Sequence, residues 1–230
     1  MKNITSKEIK EFTLDLGADI CGIADASLFK DAPPGASPKD ILPEASSVIV
    51  FGKKFLNSTV KAKSSIPYTI IRNYLSKQLD EISIELSYYL EKKGYIGLPT
   101  GAIEPCNWYE KNKRVIGLLS LKHAAEKAGL GRIGKNTLLI NEQFGNMIWL
   151  GAVISDTKLE YDNQIETQYC MNNCTLCINN CPVNALSTPL MNQKACWNYA
   201  FGEENGGEWR IKCYKCREIC PYSNGLIKKF

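Results

Sequence analysis

The sequence predicts an α+β protein in two parts: a mixed body over residues 1–160 and a small cysteine-rich module over residues 161–230. Three observations carry this reading. Eight of the ten cysteines fall between positions 170 and 220. The upstream part instead alternates helical apolar stripes with short apolar runs bounded by Gly and Pro, the pattern of helices and strands that share a core. Residues 156–168, between the two parts, are polar and acidic and read as a linker. A chain of 230 residues buries a real core, and hydrophobic and charged fractions of 44% and 23% exclude disordered and fibrous classes.

The body reads in order as follows. Ser6 can cap a first helix carrying Ile9, Phe12, Leu14 and Leu16, with Gly17 as its stop. Residues 19–25 form a short strand. Residues 31–45 hold Pro33, Pro34, Gly35, Pro38 and Pro43 and read as an irregular surface loop. Residues 46–52 form a buried strand. The longest helix spans about 68–93, where Ile71, Leu75, Leu79, Ile82, Leu86 and Leu90 make one stripe that ends at Gly94. Residues 95–100 are extended, and residues 104–114 read as a polar, aromatic loop. A helix over 120–128 closes at Gly129. Residues 137–140 and 147–155 are predicted to pair as a hairpin across 141–146.

The module is defined by two stretches, Cys170-Met-Asn-Asn-Cys174-Thr-Leu-Cys177-Ile-Asn-Asn-Cys181-Pro182 and Cys213-Tyr-Lys-Cys216-Arg-Glu-Ile-Cys220-Pro221. Each ends in C-x2-C-x3-C-P. Bacterial ferredoxins use this spacing for four-iron clusters, with the Cys before Pro ligating the other cluster. Short spacings let successive thiolates face one cube, and the fourth ligand returns from elsewhere. Exchange of fourth ligands assigns Cys170, Cys174, Cys177 and Cys220 to one 4Fe-4S cluster. Cys181, Cys213, Cys216 and one further Cys hold the second; Arg210 stands where the second stretch would begin, and Cys196 is the substitute. The competing chemistry is a pair of structural zinc sites, which also use C-x2-C pairs. A disulfide framework fits poorly, because the cysteines crowd one third of a chain that is not small. Cys21 is expected in the core and Cys106 in the polar loop. The formal charge of +4 falls to about zero once eight thiolates hold two clusters, so a nucleic-acid partner is not expected.

Gly129-Leu-Gly131-Arg-Ile-Gly134 matches a dinucleotide fingerprint in letters only. That site needs a strand before the glycines and a helix after, and the order here is reversed. Asn136 also stands where a phosphate loop needs Ser or Thr after Lys135. The stretch reads as a tight, Gly-dense connection.

Residues 128–140 together with the cysteine module resemble the epoxyqueuosine reductase family and its distant relatives, the reductive dehalogenases. Residues 16–25, residues 41–50, the long helix running into Gly94-Tyr95, and the place of Cys196 between the two cysteine stretches resemble that family as well. The resemblance covers nearly the whole chain. It implies a nitroreductase-like α/β body, able to bind cobalamin, that carries a C-terminal ferredoxin-like domain with two 4Fe-4S clusters. It implies a corrinoid-dependent reductase with Gly131, Arg132, Gly134, Lys135 and Asn136 at the cobalamin. It also implies a low-potential electron donor such as ferredoxin or flavodoxin, and a small-molecule substrate or partner redox protein. The family's Asp general acid lies in a D-S/T-x-P-x-x-E-R segment, which aligns here with residues 115–122, Val-Ile-Gly-Leu-Leu-Ser-Leu-Lys. An apolar side chain donates no proton. A substrate other than epoxyqueuosine is therefore expected, as is the lack of the helical-repeat tail. His123, Tyr109 and Glu104 are the candidate proton donors; a lone His on a helix is equally a structural residue. The alternative is an electron-transfer or activation protein that serves a partner and has no substrate of its own. No export signal and no apolar span are visible, so a cytoplasmic protein off the membrane is expected.

Overall fold

The computed structural model describes residues 4–109, 114–187, 191–203 and 206–226. In chain order, α1 (Ser6–Asp15) leads to β1 (Ile20–Asp25), α2 (Pro38–Ile41), β2 (Ser47–Lys54) and the long α3 (Ile66–Lys92). Then come β3 (Gly97–Thr100), β4 (Cys106–Tyr109), β5 (Arg114–Gly117), α4 (Leu121–Lys127), β6 (Arg132–Ile133), β7 (Leu139–Ile140) and β8 (Ile148–Ser155). The cysteine-rich end carries α5 (Leu176–Asn179), α6 (Gln193–Ala200), β9 (Phe201–Gly202), β10 (Arg210–Ile211) and α7 (Lys215–Glu218). The chain divides into two compact units. One comprises residues 1–53, 75–131 and 149–166, and the other residues 54–74, 132–148 and 167–230.

The first unit is built on a four-stranded sheet in the order β1-β2-β8-β3. β1 and β2 pair antiparallel from Ile20 opposite Gly52 to Asp25 opposite Ser47. β2 is buried along most of its length, as its unbroken apolar run predicts. The stripe on α3 packs against the sheet: Leu79, Ile82, Leu86 and Leu90 share one core with Ile9, Ile23, Ile49, Phe51 and Val153. Gly151 makes room for this, since a Cβ there would lie 2.7 Å from the Phe51 ring. The α1 cap is Thr5, whose hydroxyl accepts from the Glu8 N–H at 3.2 Å, one residue before the expected Ser6. Gly17 then stops the helix with φ +101°. Within residues 31–45, Ser37 and Asp40 form a capping box that nucleates α2.

Three expectations change. Residues 104–114 are not simply a loop, because β4 and β5 pair antiparallel, with Cys106 opposite Gly117 and Trp108 opposite Val115. The predicted hairpin of 137–140 with 147–155 does not form. β7 pairs with β6, β8 joins the four-stranded sheet, and Asn141 bridges Gly145 instead. Residues 156–168 are also fastened rather than free. The Asp162 N–H donates to the Ile23 carbonyl at 2.9 Å, its carboxylate accepts from the Ile23 N–H at 2.8 Å, and Lys10 Nζ closes on it at 2.5 Å.

The second unit has little regular structure and is held by ring stacking and backbone closure. Tyr68 stacks between Phe55 and Tyr214, with centroids 4.7 and 4.1 Å apart. The buried Arg217 guanidinium lies 5.7 Å from the Phe55 ring centre. The Ile211 N–H donates to Thr69 Oγ1 at 3.0 Å, and β9 and β10 pair beside it. Gly145 (φ +60°) is obligatory, because a Cβ there would sit 1.9 Å from the Tyr222 carbonyl oxygen.

Leu79 is fully buried in the first unit's core, whereas Ile70 on the same helix is 63% exposed. Leu79→Ala is expected to cost about 2–5 kcal/mol in urea unfolding, and Ile70→Ala less than about 0.5 kcal/mol. Equal effects would contradict this core.

Candidate metal centre

The second unit carries eight cysteines on short elements and the turns between them. Cys177 lies on α5, Cys196 on α6 and Cys216 on α7; Cys170, Cys174, Cys181, Cys213 and Cys220 occupy connections. α5 and α7 are each a single turn. The Cys174 N–H donates to the Met171 carbonyl at 3.1 Å and the Cys181 N–H to the Ile178 carbonyl at 3.2 Å, closing a tight turn ahead of each of these thiols. All ten cysteines are free thiols.

Burial and neighbouring thiols raise four of the eight cysteines. Burial pushes the Cys177 thiol up, and the neighbouring Cys170 and Cys174 add to the shift. Burial likewise raises Cys220, with Cys170, Cys177 and Cys174 around it. Burial raises Cys196 as well, next to Cys213 and Cys181. Burial drives Cys216 up to about 11 against the pull of the adjacent Arg217, and Cys196, Cys213 and Cys177 reinforce it. Uncompensated thiolates are costly in such a place, and a metal that takes the sulfur's charge removes that cost. Cys170, Cys174, Cys177 and Cys220 line one cavity together with Lys135 and Asn136. Among the described residues, no three His, Cys, Asp or Glu side chains are grouped so as to hold a metal ion. Outside these eight, Cys21 packs against the first unit's core, its thiol raised by burial to about 12, and Cys106 is exposed.

The Gly-dense turn is placed by its own packing. A Cβ on Gly129 would meet the Asn163 carbonyl oxygen at 2.4 Å, and one on Gly134 would meet Ile140 Cδ1 at 2.7 Å. α4 precedes the turn and β6 begins inside it, so the helix that a dinucleotide site requires is missing there. Gly131 is buried and Arg132 half-buried. The Lys135 ammonium donates to the carbonyls of Met171 at 3.2 Å, Asn172 at 2.5 Å and Cys174 at 3.0 Å. Asn136 Nδ2 donates to the Cys216 carbonyl at 3.3 Å, while its Oδ1 accepts from the Leu138 N–H. No spacing rule ties 135 and 136 to cysteines so far along the chain, so the sequence carried no signal for these contacts.

Of the three candidate proton donors, Glu104 is exposed, before a cis peptide to Pro105. Tyr109 ends β4, and its side chain lies outside the described residues. His123 sits on α4 with Nδ1 2.6 Å from Ser120 Oγ. Its side chain reaches solvent, yet crowding around the ring, with the Lys122 ammonium adding to it, lowers its pKa below 6.5. The folded imidazole then binds fewer protons than the unfolded one, so its small contribution is full above pH 6.5 and is lost as pH falls from there through the folded pKa. As His123 is the single histidine, its ring resonances are expected to titrate by NMR with a midpoint below 6.5; a midpoint above it would contradict this environment.

No family model matches the chain. The curated epoxyqueuosine reductase of Leadbetterella byssophila is 26% identical over 245 residues, covering 95% of this chain and 80% of that protein. The solved epoxyqueuosine reductase of Streptococcus thermophilus matches with a TM-score of 0.65 at 18% identity, over 96% of this chain and 68% of that one. A reductive dehalogenase, whose structure suggests a mechanism for B12-dependent dehalogenation, gives a TM-score of 0.71 at 19% identity over 97% of this chain, which spans 32% of the dehalogenase. At these identities the two structures speak for a shared mixed α/β fold, and the sequence match makes the chain similar to epoxyqueuosine reductases over nearly its whole length.

Proposed function

We propose that the chain is a corrinoid-dependent iron–sulfur reductase whose substrate differs from epoxyqueuosine. The observation that carries this is the cavity lined by Cys170, Cys174, Cys177 and Cys220, four thiols from two distant segments. In this reading those four hold one 4Fe-4S cluster, and Cys181, Cys196, Cys213 and Cys216 hold the second, in a ferredoxin-like module. The cysteine spacing supports the partition, and the shared cavity of Cys170, Cys174, Cys177 and Cys220 supports its first set. The donor set fits: soft thiolates suit iron–sulfur cores, and a single zinc ion would draw its sulfurs to about 2.3 Å, whereas a four-iron core fills a wider space between them. The Ala185 N–H donates to Cys181 Sγ at 3.2 Å, a bond that favours the ligated, negatively charged sulfur.

Buried, unpartnered polar atoms in the second unit support a bound cofactor there. Asn146 is fully buried with both side-chain heteroatoms unpartnered, and Asn57 Oδ1 and Ser65 Oγ are buried without a partner. Each such group costs about 1–3 kcal/mol until something bonds it, and the amide arms of a corrinoid are partners of the right kind. These three residues, with Arg132 of the Gly-dense turn, are the proposed corrinoid contacts. When bound, the clusters supply single electrons and the corrinoid a strongly reducing cobalt centre. Electrons would enter from a low-potential donor such as ferredoxin or flavodoxin. The segment aligned with the family's acid runs from β5 into α4 without a carboxylate, which is why another substrate is proposed.

That same missing carboxylate favours a second reading, an electron-delivering or activating protein with no substrate of its own. Adding cobalamin to anaerobically reconstituted protein separates the two. The reductase reading expects cobalamin to co-elute with the protein and its visible spectrum to shift. An unchanged spectrum on protein that carries its full iron would overturn the corrinoid assignment and leave electron delivery.

A further inference from the structure

The Gly134–Thr137 turn has side chains on both cysteine segments. Lys135 reaches the segment that carries Cys170 and Cys174, and Asn136 reaches the Cys216 carbonyl. Thr137 adopts φ +62°, a conformation that a β-branched residue rarely takes. Such strain persists only where surrounding contacts over-determine it. The contacts are at hand: the Gly134 N–H donates to the Leu138 carbonyl at 2.9 Å, the Thr137 N–H to the Gly134 carbonyl at 2.8 Å, and Thr137 Oγ1 lies 3.4 Å from Met191 Sδ. The turn is thus held rigid, and it presents an ammonium at one end.

That ammonium is fixed. A lysine has three N–H donors, and Lys135 directs bonds to three carbonyl oxygens of one short segment. The same side chain lines the cavity shared by Cys170, Cys174, Cys177 and Cys220. Carbonyl partners leave its charge unneutralised, whereas a carboxylate would cancel it. A half-buried, immobile positive charge beside a redox centre favours whichever state carries more negative charge.

We propose that Lys135 is the residue that sets the reduction potential of the cluster held by Cys170, Cys174, Cys177 and Cys220, and that it leaves the second cluster largely alone. The inference rests on the iron–sulfur reading above and departs from a corrinoid role for Lys135. The step concerned is addition of one electron, supplied in the test by dithionite, which makes the cluster one unit more negative. The ammonium stabilises that product and raises the potential. Asn136, on the Cys216 carbonyl, brings no charge to the other set. Lys135 therefore acts on the first cluster, whereas the positive charge beside the second set is the Arg217 guanidinium next to Cys216.

The test is potentiometric titration of anaerobically reconstituted full chain, followed by EPR of the reduced clusters. Lys135→Gln keeps donors for the carbonyls and removes the charge. The first cluster of this variant is expected to reduce at a more negative potential, with its reduced-to-oxidised ratio at fixed potential down on the order of tenfold, about 59 mV for one electron. Lys135→Arg is expected to stay near wild type, and the second cluster to stay in place in both. Unchanged potentials in Lys135→Gln, or equal shifts in both clusters, would overturn the proposal. Should Lys135→Gln fail to hold iron, Lys135→His decides: a first-cluster potential that becomes pH-dependent between about pH 5 and 8 supports it, and a pH-independent one overturns it. Wild-type protein without clusters would instead sink the iron–sulfur reading itself, and iron analysis before the titration tells the two failures apart.

Discussion

The second unit depends on one constraint: thiols from separate segments must meet in a confined space and stay there. Cys220 has to return to the segment that carries Cys170, Cys174 and Cys177, and short one-turn helices cannot enforce this alone. The work falls to contacts around the thiols. Tyr68 stacked between Phe55 and Tyr214 fixes the approach to Cys213 and Cys216. Tyr222, just beyond Cys220, closes on Gly145, where any side chain would collide with its carbonyl. The Gly134–Thr137 turn holds a cysteine segment with each of two adjacent side chains. A unit with so little sheet or helix is stable because rings, glycines and a buried guanidinium replace the regular ladder.

The first unit works differently. Its sheet and the apolar stripe of α3 form a conventional core, and its special residues serve close packing. Gly22 in β1 is one example: a Cβ there would lie 2.4 Å from the Ala128 carbonyl oxygen, so the end of α4 can close on the strand only over glycine. The route from β5 into α4 lies in this unit and carries mostly apolar side chains and His123. In the proposed reading, electron supply rests on the cysteine-rich unit and proton supply on residues 115–123, so the two can be tested apart.

Legibility in the sequence followed locality. The α1, β1, β2, α3 and α4 elements were readable because their periodicity, caps and stops lie within a few residues of each other. The spacing of the cysteines places eight of them in one unit for the same reason, and the cavity shared by Cys170, Cys174, Cys177 and Cys220 joins both stretches. Long-range choices were not readable. Leu139–Ile140 is apolar and short enough to pair with any strand, and its partner proved to be Arg132–Ile133 rather than β8. The β4–β5 pairing was hidden by polar residues, although Trp108 and Tyr109 carry the strand propensity that points to it. Asp162 looked like a linker charge because its partners, Ile23 and Lys10, lie at the other end of the chain. The contacts of Lys135 and the unpartnered amide of Asn146 belong to the same class, being set by tertiary placement rather than by local pattern.

In the proposed reading, eight cysteines hold two four-iron clusters, and iron, acid-labile sulfide and zinc analysis of anaerobically purified protein is the most direct test. About eight iron and eight sulfide per chain are expected. A preparation made under the same conditions that contains stoichiometric zinc and no sulfide would contradict it.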